Sequence, residues 1–272
     1  MNKKVMISYS QNYEDVILQR VLQNVTDGFY IDVGAAHPVF DSVTCYFYNS
    51  GWSGINIEPL KKNFDMLQSM RTRDINLCLA VTDIEGDSMF FESEIVGWST
   101  LLPEIAEKHS TLANVPYEVI HVTTSTLNQI CRSHVNKREI HFLKIDVEGA
   151  EKRVLLGFDL TKYRPWVIVI EATLPNSKIE VFGDWEFLVT SKNYKHVYSD
   201  GLNRFYLADE HSYLEKFFDY PPNVFDNFIQ HNSEEVRLLE ELKFLQEIID
   251  KIFDSKVYKT LLKLRILKNY LR

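Results

Sequence analysis

The chain has 272 residues, 45% hydrophobic and 25% charged, enough for one large globular domain with an appendage. A net charge of −8 argues against a nucleic-acid binder, which needs basic surface to neutralise phosphates. Three scattered cysteines, Cys45, Cys78 and Cys131, form no short pair, which excludes a disulfide framework or a zinc ribbon and points to a reducing cytoplasm.

The start, Met1-Asn2-Lys3-Lys4, is basic, but no sustained apolar stretch follows, so no secretory signal is expected. The most apolar run, 166–170, is too short to span a bilayer. Ser-Gln-Asn-Tyr-Glu-Asp (10–15) precedes a helix with Val16, Ile17, Val21 and Leu22 on its apolar side. Ser10 or Asn12 would cap it, and Glu14 and Asp15 suit the positive end of its dipole. Residues 29–33 then read as a buried strand that enters a tight turn of small residues at Gly34, where a backbone can approach a ligand.

A helix is expected over 42–49, ending at Gly51, and a second strand over 54–57, closed by Glu58-Pro59. A helix over 61–70, a third strand over 75–81 and an added strand at 89–91 follow. Residues 97–100 read as a loop, and 101–116 have no clear pattern. A strand at 117–123, a helix at 127–134 and a fourth buried strand at 140–145 come next. That strand runs through Asp-Val-Glu-Gly-Ala-Glu (146–151) into a helix ending at Leu156. A fifth strand, 166–170, ends in Glu171, and a helix is expected over 185–192. Strands at 194–199 and 204–207 flank Asp-Gly-Leu-Asn (200–203), a hairpin signal. Strands alternating with helices and closed by a hairpin predict an α/β fold, with a mostly parallel sheet and one antiparallel strand.

Composition changes after Pro221-Pro222, and the division expected is a domain over 1–210 with a helical extension over 211–272. Leu238, Leu242, Leu245, Ile249 and Ile252 recur at steps of four and three, a seam for a partner helix such as that of a second copy. From Lys256 to Arg272 there are six basic residues and no acid. This amphipathic tail suits an anionic membrane surface at the inner face or an acidic partner, or else packs on its own domain or a second subunit.

Asp32, Glu58, Asp146 and Glu171 fall at the expected carboxyl ends of four strands, and Asp83 lies just past the third. In a parallel sheet those ends share one rim, so the acids converge. A carboxylate at the tip of the second strand is where a doubly wound fold holds a ribose diol. A dinucleotide site would need three glycines in its turn, and only Gly34 is present, so a nicotinamide-dependent oxidoreductase is disfavoured. The site suits a nucleoside whose other end carries no phosphate.

Phe-Tyr-Ile-Asp-Val-Gly-Ala-Ala-His-Pro (29–38), Gly-Trp-Ser-Gly-Ile-Asn-Ile-Glu-Pro (51–59) and Phe-Leu-Lys-Ile-Asp-Val-Glu-Gly-Ala-Glu (142–151) together resemble the FkbM family of S-adenosylmethionine-dependent methyltransferases. Residues 10–15 and Asp-Gly-Leu-Asn-Arg-Phe-Tyr (200–206) resemble a subgroup of it. The resemblance implies a class I (Rossmann-like) methyltransferase fold with a seven-stranded sheet, and methyl transfer to a hydroxyl oxygen. It places Asp32, Val33, Gly34 and Ala35 at the methionine end of the cofactor, with His37 and Pro59 beside them. Glu58 would then hold the ribose, and Val81, Thr82 and Asp83 would border the adenine. Lys144, Asp146 and Glu148 would face the reacting centre. The family's commoner turn does not continue with His37-Pro38. The segment 255–268 is similar to ends of bacterial polysaccharide-assembly proteins, which favours a sugar acceptor.

Removing a sugar hydroxyl proton calls for a base or a metal. Asp146 is the first candidate for either, with His37 and His121 as further bases. Lys144 would orient a hydroxyl or pair with a nearby acid. Asp146 with Glu171, or with Glu148, would hold Mg²⁺, or the acids would orient hydroxyls without metal. The alternative to an enzyme is a non-catalytic scaffold that keeps the fold and recruits an assembly complex through its tail.

Overall fold

A computed structural model describes residues 5–95, 97–113, 116–174, 177–254, 256 and 258–260. The chain divides into a large unit, Ser8–Asn227, and a small one formed by the flanking segments up to Ile7 and from Phe228. In chain order the strands and helices begin with β1 (Met6–Ser8), α1 (Glu14–Val21), β2 (Phe29–Val33), α2 (Cys45–Asn49), β3 (Ser53–Ile57) and α3 (Lys61–Met70). They continue with β4 (Ile75–Leu77), β5 (Ala80–Val81), β6 (Gly86–Ser93), α4 (Pro103–Ala113), β7 (Tyr117–Ser125) and α5 (Leu127–His134). Then come β8 (Phe142–Ile145), α6 (Glu151–Leu156), β9 (Val167–Glu171), α7 (Glu186–Thr190), β10 (Tyr194–Ser199) and β11 (Asn203–Ala208). The small unit adds β12 (Phe228–Gln230), which shares a two-stranded sheet with β1, and α8 (Glu234–Asp254).

Seven strands form the main sheet of the large unit in the order β10-β11-β9-β8-β2-β3-β4. The pairs β2–β3, β2–β8, β3–β4 and β8–β9 are parallel, and only β11 runs against the rest. This is the α/β architecture, mostly parallel and closed by a hairpin, that the sequence predicts. Every residue of β2 and β9 is buried because helices cover both faces of such a sheet. Alternate residues of each strand feed separate cores. Ile31, Val33, Leu143, Ile145, Ile168 and Ile170 pack with α5 and α6, whereas Tyr30, Phe142, Val167 and Val169 pack with α1 and α2.

Several elements differ from expectation for identifiable reasons. The strand expected over 75–81 is two: β4 extends the main sheet, and β5 leaves it to join a three-stranded sheet ordered β5-β7-β6. The strand expected at 89–91 is eight residues long and pairs antiparallel with β7 along its whole length. The patternless stretch 101–116 holds α4, started by Pro103, whose fixed φ suits a first helical position. The helix expected from residue 42 begins only at Cys45, because the Ser42 and Thr44 hydroxyls bond elsewhere in the fold. Neither Ser10 nor Asn12 is the N-cap residue of α1, although the Ser10 hydroxyl does accept the first-turn Asp15 N–H at 3.3 Å. Tyr13 occupies that position in a left-handed conformation, and the side chain of Asn12 donates to the Asp200 carbonyl. Leu214 and Phe218, assigned by the sequence to the extension, are buried in the large unit against α1 and β11. Most of the basic tail, residues 261–272 with Ser255 and Val257, lies outside the described residues. Among the described residues no helix is long and apolar enough to cross a membrane.

Candidate active site

A row of polar residues crosses the otherwise apolar sheet on the α1–α2 face. Pairing register aligns Asn76, Asn56, Asp32 and Lys144 across β4, β3, β2 and β8. All but Asn76 are buried. Buried polar groups of this kind persist only with partners, and most have them. Asp32 Oδ2 accepts from the Thr44 hydroxyl at 3.1 Å, and Lys144 Nζ lies 3.8 Å from Asp32 Oδ1 and 3.1 Å from Asp146 Oδ2. The lysine also donates to the Gly34 carbonyl at 3.5 Å. Asn56 donates to Asp74 and Asn76, and Asp74 in turn accepts from Tyr30 Oη at 2.6 Å. Arg71 donates from its guanidinium to the Pro38 and Thr44 carbonyls and to the Ser42 hydroxyl, which fixes the loop that supplies Thr44 to Asp32.

Gly34 has φ +82°, and a Cβ there would lie 1.8 Å from the Asp146 carbonyl oxygen. No side chain fits, so the turns after β2 and β8 meet backbone to backbone, and the Asp146 N–H donates to Val33 at 3.0 Å. Gly34 and Ala35 both donate to the Ile57 carbonyl, which brings the end of β3 to the same point.

Glu58 follows β3 and is buried. Its Oε1 accepts the Leu60 N–H at 2.8 Å and its Oε2 the Ala36 N–H at 2.9 Å, leaving further acceptor capacity on each oxygen. Burial pushes its carboxyl up to about 7 against the pull of those hydrogen bonds. His37 is a turn organiser: its Nδ1 accepts from the Val39 and Phe40 N–H groups, and burial lowers its pKa. Pro59 follows Glu58 between β3 and α3, and its carbonyl accepts from Cys78 Sγ.

The residues after β8 and at the end of β9 form the densest charge cluster. Carboxylate oxygens of Asp146, Glu148 and Glu171 lie within 4.8 Å of one another. Burial and the neighbouring acids push Glu148 and Glu171 well above the ordinary carboxylate range. Glu171 Oε2 is buried and has no hydrogen-bond partner among the described residues. Glu148 sits at φ +54°, a conformation that non-glycine residues adopt at a strain cost of order 1–3 kcal/mol. Glu151 holds that turn, accepting the Val147 and Gly149 N–H groups on Oε1, and Thr100 Oγ1 donates to the Glu148 carbonyl. Burial acts to lower the Lys144 pKa, but Asp146 and Asp32 outweigh it, so the ammonium is held above its ordinary value. Asp146, nearer than Asp32, is the lysine's main ionic partner, and burial drives the Asp32 pKa upward despite Lys144.

Sequence-predicted residues thus divide. Asp32, Gly34, Lys144 and Asp146 are in direct contact, and Glu148 and Glu171 join Asp146. Val81, Thr82 and Asp83 lie at the end of β5, outside the main sheet. There Asp83 accepts from Arg153 Nε at 2.9 Å and from Thr82 Oγ1. His121 is on exposed β7, paired with Met89 of β6. Sequence reasoning missed Thr44, Asn56, Arg71 and Asp74. Asn56 carried a usable signal, a polar residue on the same strand face as Asp32 in an apolar run.

The model of the Methyltransferase FkbM domain matches residues 32–196. No curated protein matches the chain. Among solved structures, the chain is similar to a TehB-like SAM-dependent methyltransferase from Corynebacterium glutamicum. The identity is 8% and the TM-score 0.37, over 71% of this chain and 85% of that one.

Proposed function

The chain belongs to the FkbM methyltransferase family, and from that premise we propose that it uses S-adenosylmethionine to methylate a sugar hydroxyl, on a nucleotide sugar or a surface glycan. The observation that carries this reading is the meeting of Lys144 and Asp146 with Glu148 and Glu171, beside a turn at Gly34 that admits no side chain. The cofactor supplies an electrophilic methyl group on a cationic sulfur. Glu58, with acceptor capacity left on both oxygens, would take the ribose diol. Asp32 to Ala35 would line the methionine end, and Val81 to Asp83 would border the adenine.

A sugar hydroxyl is a weak nucleophile until its proton leaves. Asp146 would take that proton as the hydroxyl oxygen becomes the nucleophile toward the methyl group, which the bound cofactor would supply from its cationic sulfur. Lys144 stays protonated, orients Asp146 and offers positive charge to the developing oxygen anion. Glu148 and Glu171 hold protons more tightly than ordinary carboxyls, so they hydrogen-bond and orient the acceptor hydroxyls.

A second reading of the same cluster is a Mg²⁺ ion held by Asp146 and Glu171. The partnerless buried oxygen of Glu171 and the all-oxygen donor set favour it. A methyl-transfer assay of wild type and Asp146→Asn, each with EDTA and with Mg²⁺, separates the two. With Asp146 as base alone, the variant turns over about 10²–10⁴-fold more slowly in either condition and binds cofactor normally. With a metal, chelator also silences the wild type. Normal turnover by the variant removes Asp146 from both roles. Cofactor binding without transfer to any sugar acceptor would leave a scaffold.

A further inference from the structure

At the opposite, amino ends of the strands the large unit has a cavity of about 690 Å³, between the end of α5 and the segments entering β8 and β9. Strands of four or five residues at about 3.3 Å each put it some 15 Å from the carboxylate rim. It has no part in the site above.

Its walls are cationic. Arg132, Lys137, Arg138 and Lys162 line it, and none of the four takes part in a salt bridge among the described residues. All four are exposed. The fifth cation, Arg164, is fully engaged. It pairs with Glu210 at 2.6 Å and donates to the Leu160, Lys192 and Asn193 carbonyls, so it cancels the charge of that acid. Among the described residues, Glu139 is the lining carboxylate left to face these cations, of which Arg138 also donates to the Ser53 hydroxyl and lies over the Phe29 ring. In a chain of net charge −8, such a concentration is a local reversal of sign.

The cavity is also aromatic. Tyr163, Trp166 and His211 line it, with the His211 ring stacked on Trp166 at 4.2 Å and Lys162 Nζ 4.8 Å from the Tyr163 ring centroid. A concave volume of this size matches a small-ligand site better than a flat membrane surface. Trp166 is already in contact with the His141 and His211 rings, so it is the half-buried Tyr163 and His211 that offer a sugar or a base apolar surface to pack on.

We propose that this cavity is a second ligand site, taking a phosphorylated or carboxylated saccharide. The anionic groups lie against Arg132, Lys137, Arg138 and Lys162, and the ring lies on the aromatic floor. Either a free nucleotide sugar or a stretch of acidic glycan offers this chemistry. The inference does not depend on the methyl-transfer reading.

The test is calorimetric titration of the full chain with UDP-glucose and, separately, with trigalacturonate, for wild type and Arg132→Glu/Lys137→Glu. The expected result is that one probe or both bind wild type and lose at least about tenfold in affinity in the variant, with the thermal midpoint kept; reversed charge repels where it attracted. Lys162→Glu, in the segment that leads into β9, should weaken the same probe independently. Binding of UDP-glucose alone identifies a free sugar nucleotide, and binding of trigalacturonate alone an acidic glycan chain. If neither probe binds below about 1 mM, a free energy of roughly −4 kcal/mol, the proposal is overturned. It also fails if all the variants bind as tightly as wild type.

Discussion

At the level of single residues, the proposed ribose contact of Glu58 predicts that cofactor binding depends on pH. Its carboxyl is pushed up to about 7 because burial outweighs the two backbone hydrogen bonds it accepts. A ribose diol donates hydrogen bonds, so the ionised form is the one that holds it. Below about pH 7 the folded protein must first release a proton. Affinity for S-adenosylhomocysteine should therefore fall about tenfold from pH 8 to pH 6, read by calorimetry, while Glu58→Gln binds weakly with little pH dependence. In the free protein the sign is opposite in appearance but follows from the same shift. The unfolded glutamate ionises near 4.5, and the folded one keeps its proton to about 7, so folding takes up a proton between these values. Glu14 and Glu151, also buried and raised to about 7, behave alike. Their stabilising effect is complete below about pH 4.5 and is lost as pH rises through 7. The unliganded thermal midpoint should thus drop between pH 5 and pH 8, and Glu58→Gln should drop less. A midpoint that climbs over this range with the same slope in both proteins would separate Glu58 from the effect.

Among the elements, the start of α1 is tied to the hairpin through two buried side chains. Glu14 Oε1 accepts from Asn203 Nδ2 at 2.8 Å, and its Oε2 from the Asn12 N–H at 2.9 Å. Asn203 opens β11 directly opposite Glu171 of β9, so the tie ends beside the acid cluster. Removing Asn203 leaves Glu14 buried and short of a donor, which should cost on the order of 1–3 kcal/mol. Urea denaturation of Asn203→Ala would show this as a lower midpoint at unchanged slope, and Asn203→Asp should do worse by placing a third acid beside Glu14 and Asp200. Both partners sit in motifs that stand out in the sequence, 10–15 and 200–206, yet their contact spans 189 residues and no local pattern encodes it. The parallel strands were legible because burial on both faces makes them continuous apolar runs, and α3 because its start and end coincide with Pro59-Leu60 and Arg71. The split between β4 and β5 was not, since a strand that changes sheets changes partner without changing composition. The acids at the strand ends were legible as a rim. The polar row behind them depends on register across four strands, which only pairing in three dimensions fixes.

For the whole molecule, the exposed seam on α8 bears on association. Leu238, Leu242, Leu245, Ile249 and Ile252 lie on a helix of 21 residues, about 31 Å long, and are between 42% and 62% exposed. Their spacing of four and three keeps them on one stripe, the pattern by which two helices interlock. Fully covering a leucine or isoleucine side chain is worth about 1.5–3 kcal/mol, so Leu238, Leu242, Leu245 and Ile249 from each copy amount to a substantial driving force even after the cost of association. A second copy of α8 carries the same stripe and is the partner that needs no other component. We propose that the chain self-associates through this helix. Leu242→Asp/Leu245→Asp puts two charges into the middle of the stripe without touching the large unit's core. Sedimentation velocity should show wild type as a dimer or larger species at micromolar concentration and the variant as a monomer. Deletion from Ser233 should give the same monomer with cofactor affinity intact, because the proposed cofactor residues all belong to the large unit. A wild-type monomer at every concentration would show that the stripe serves a different partner, and an unfolded truncation would show that α8 is needed by the fold itself.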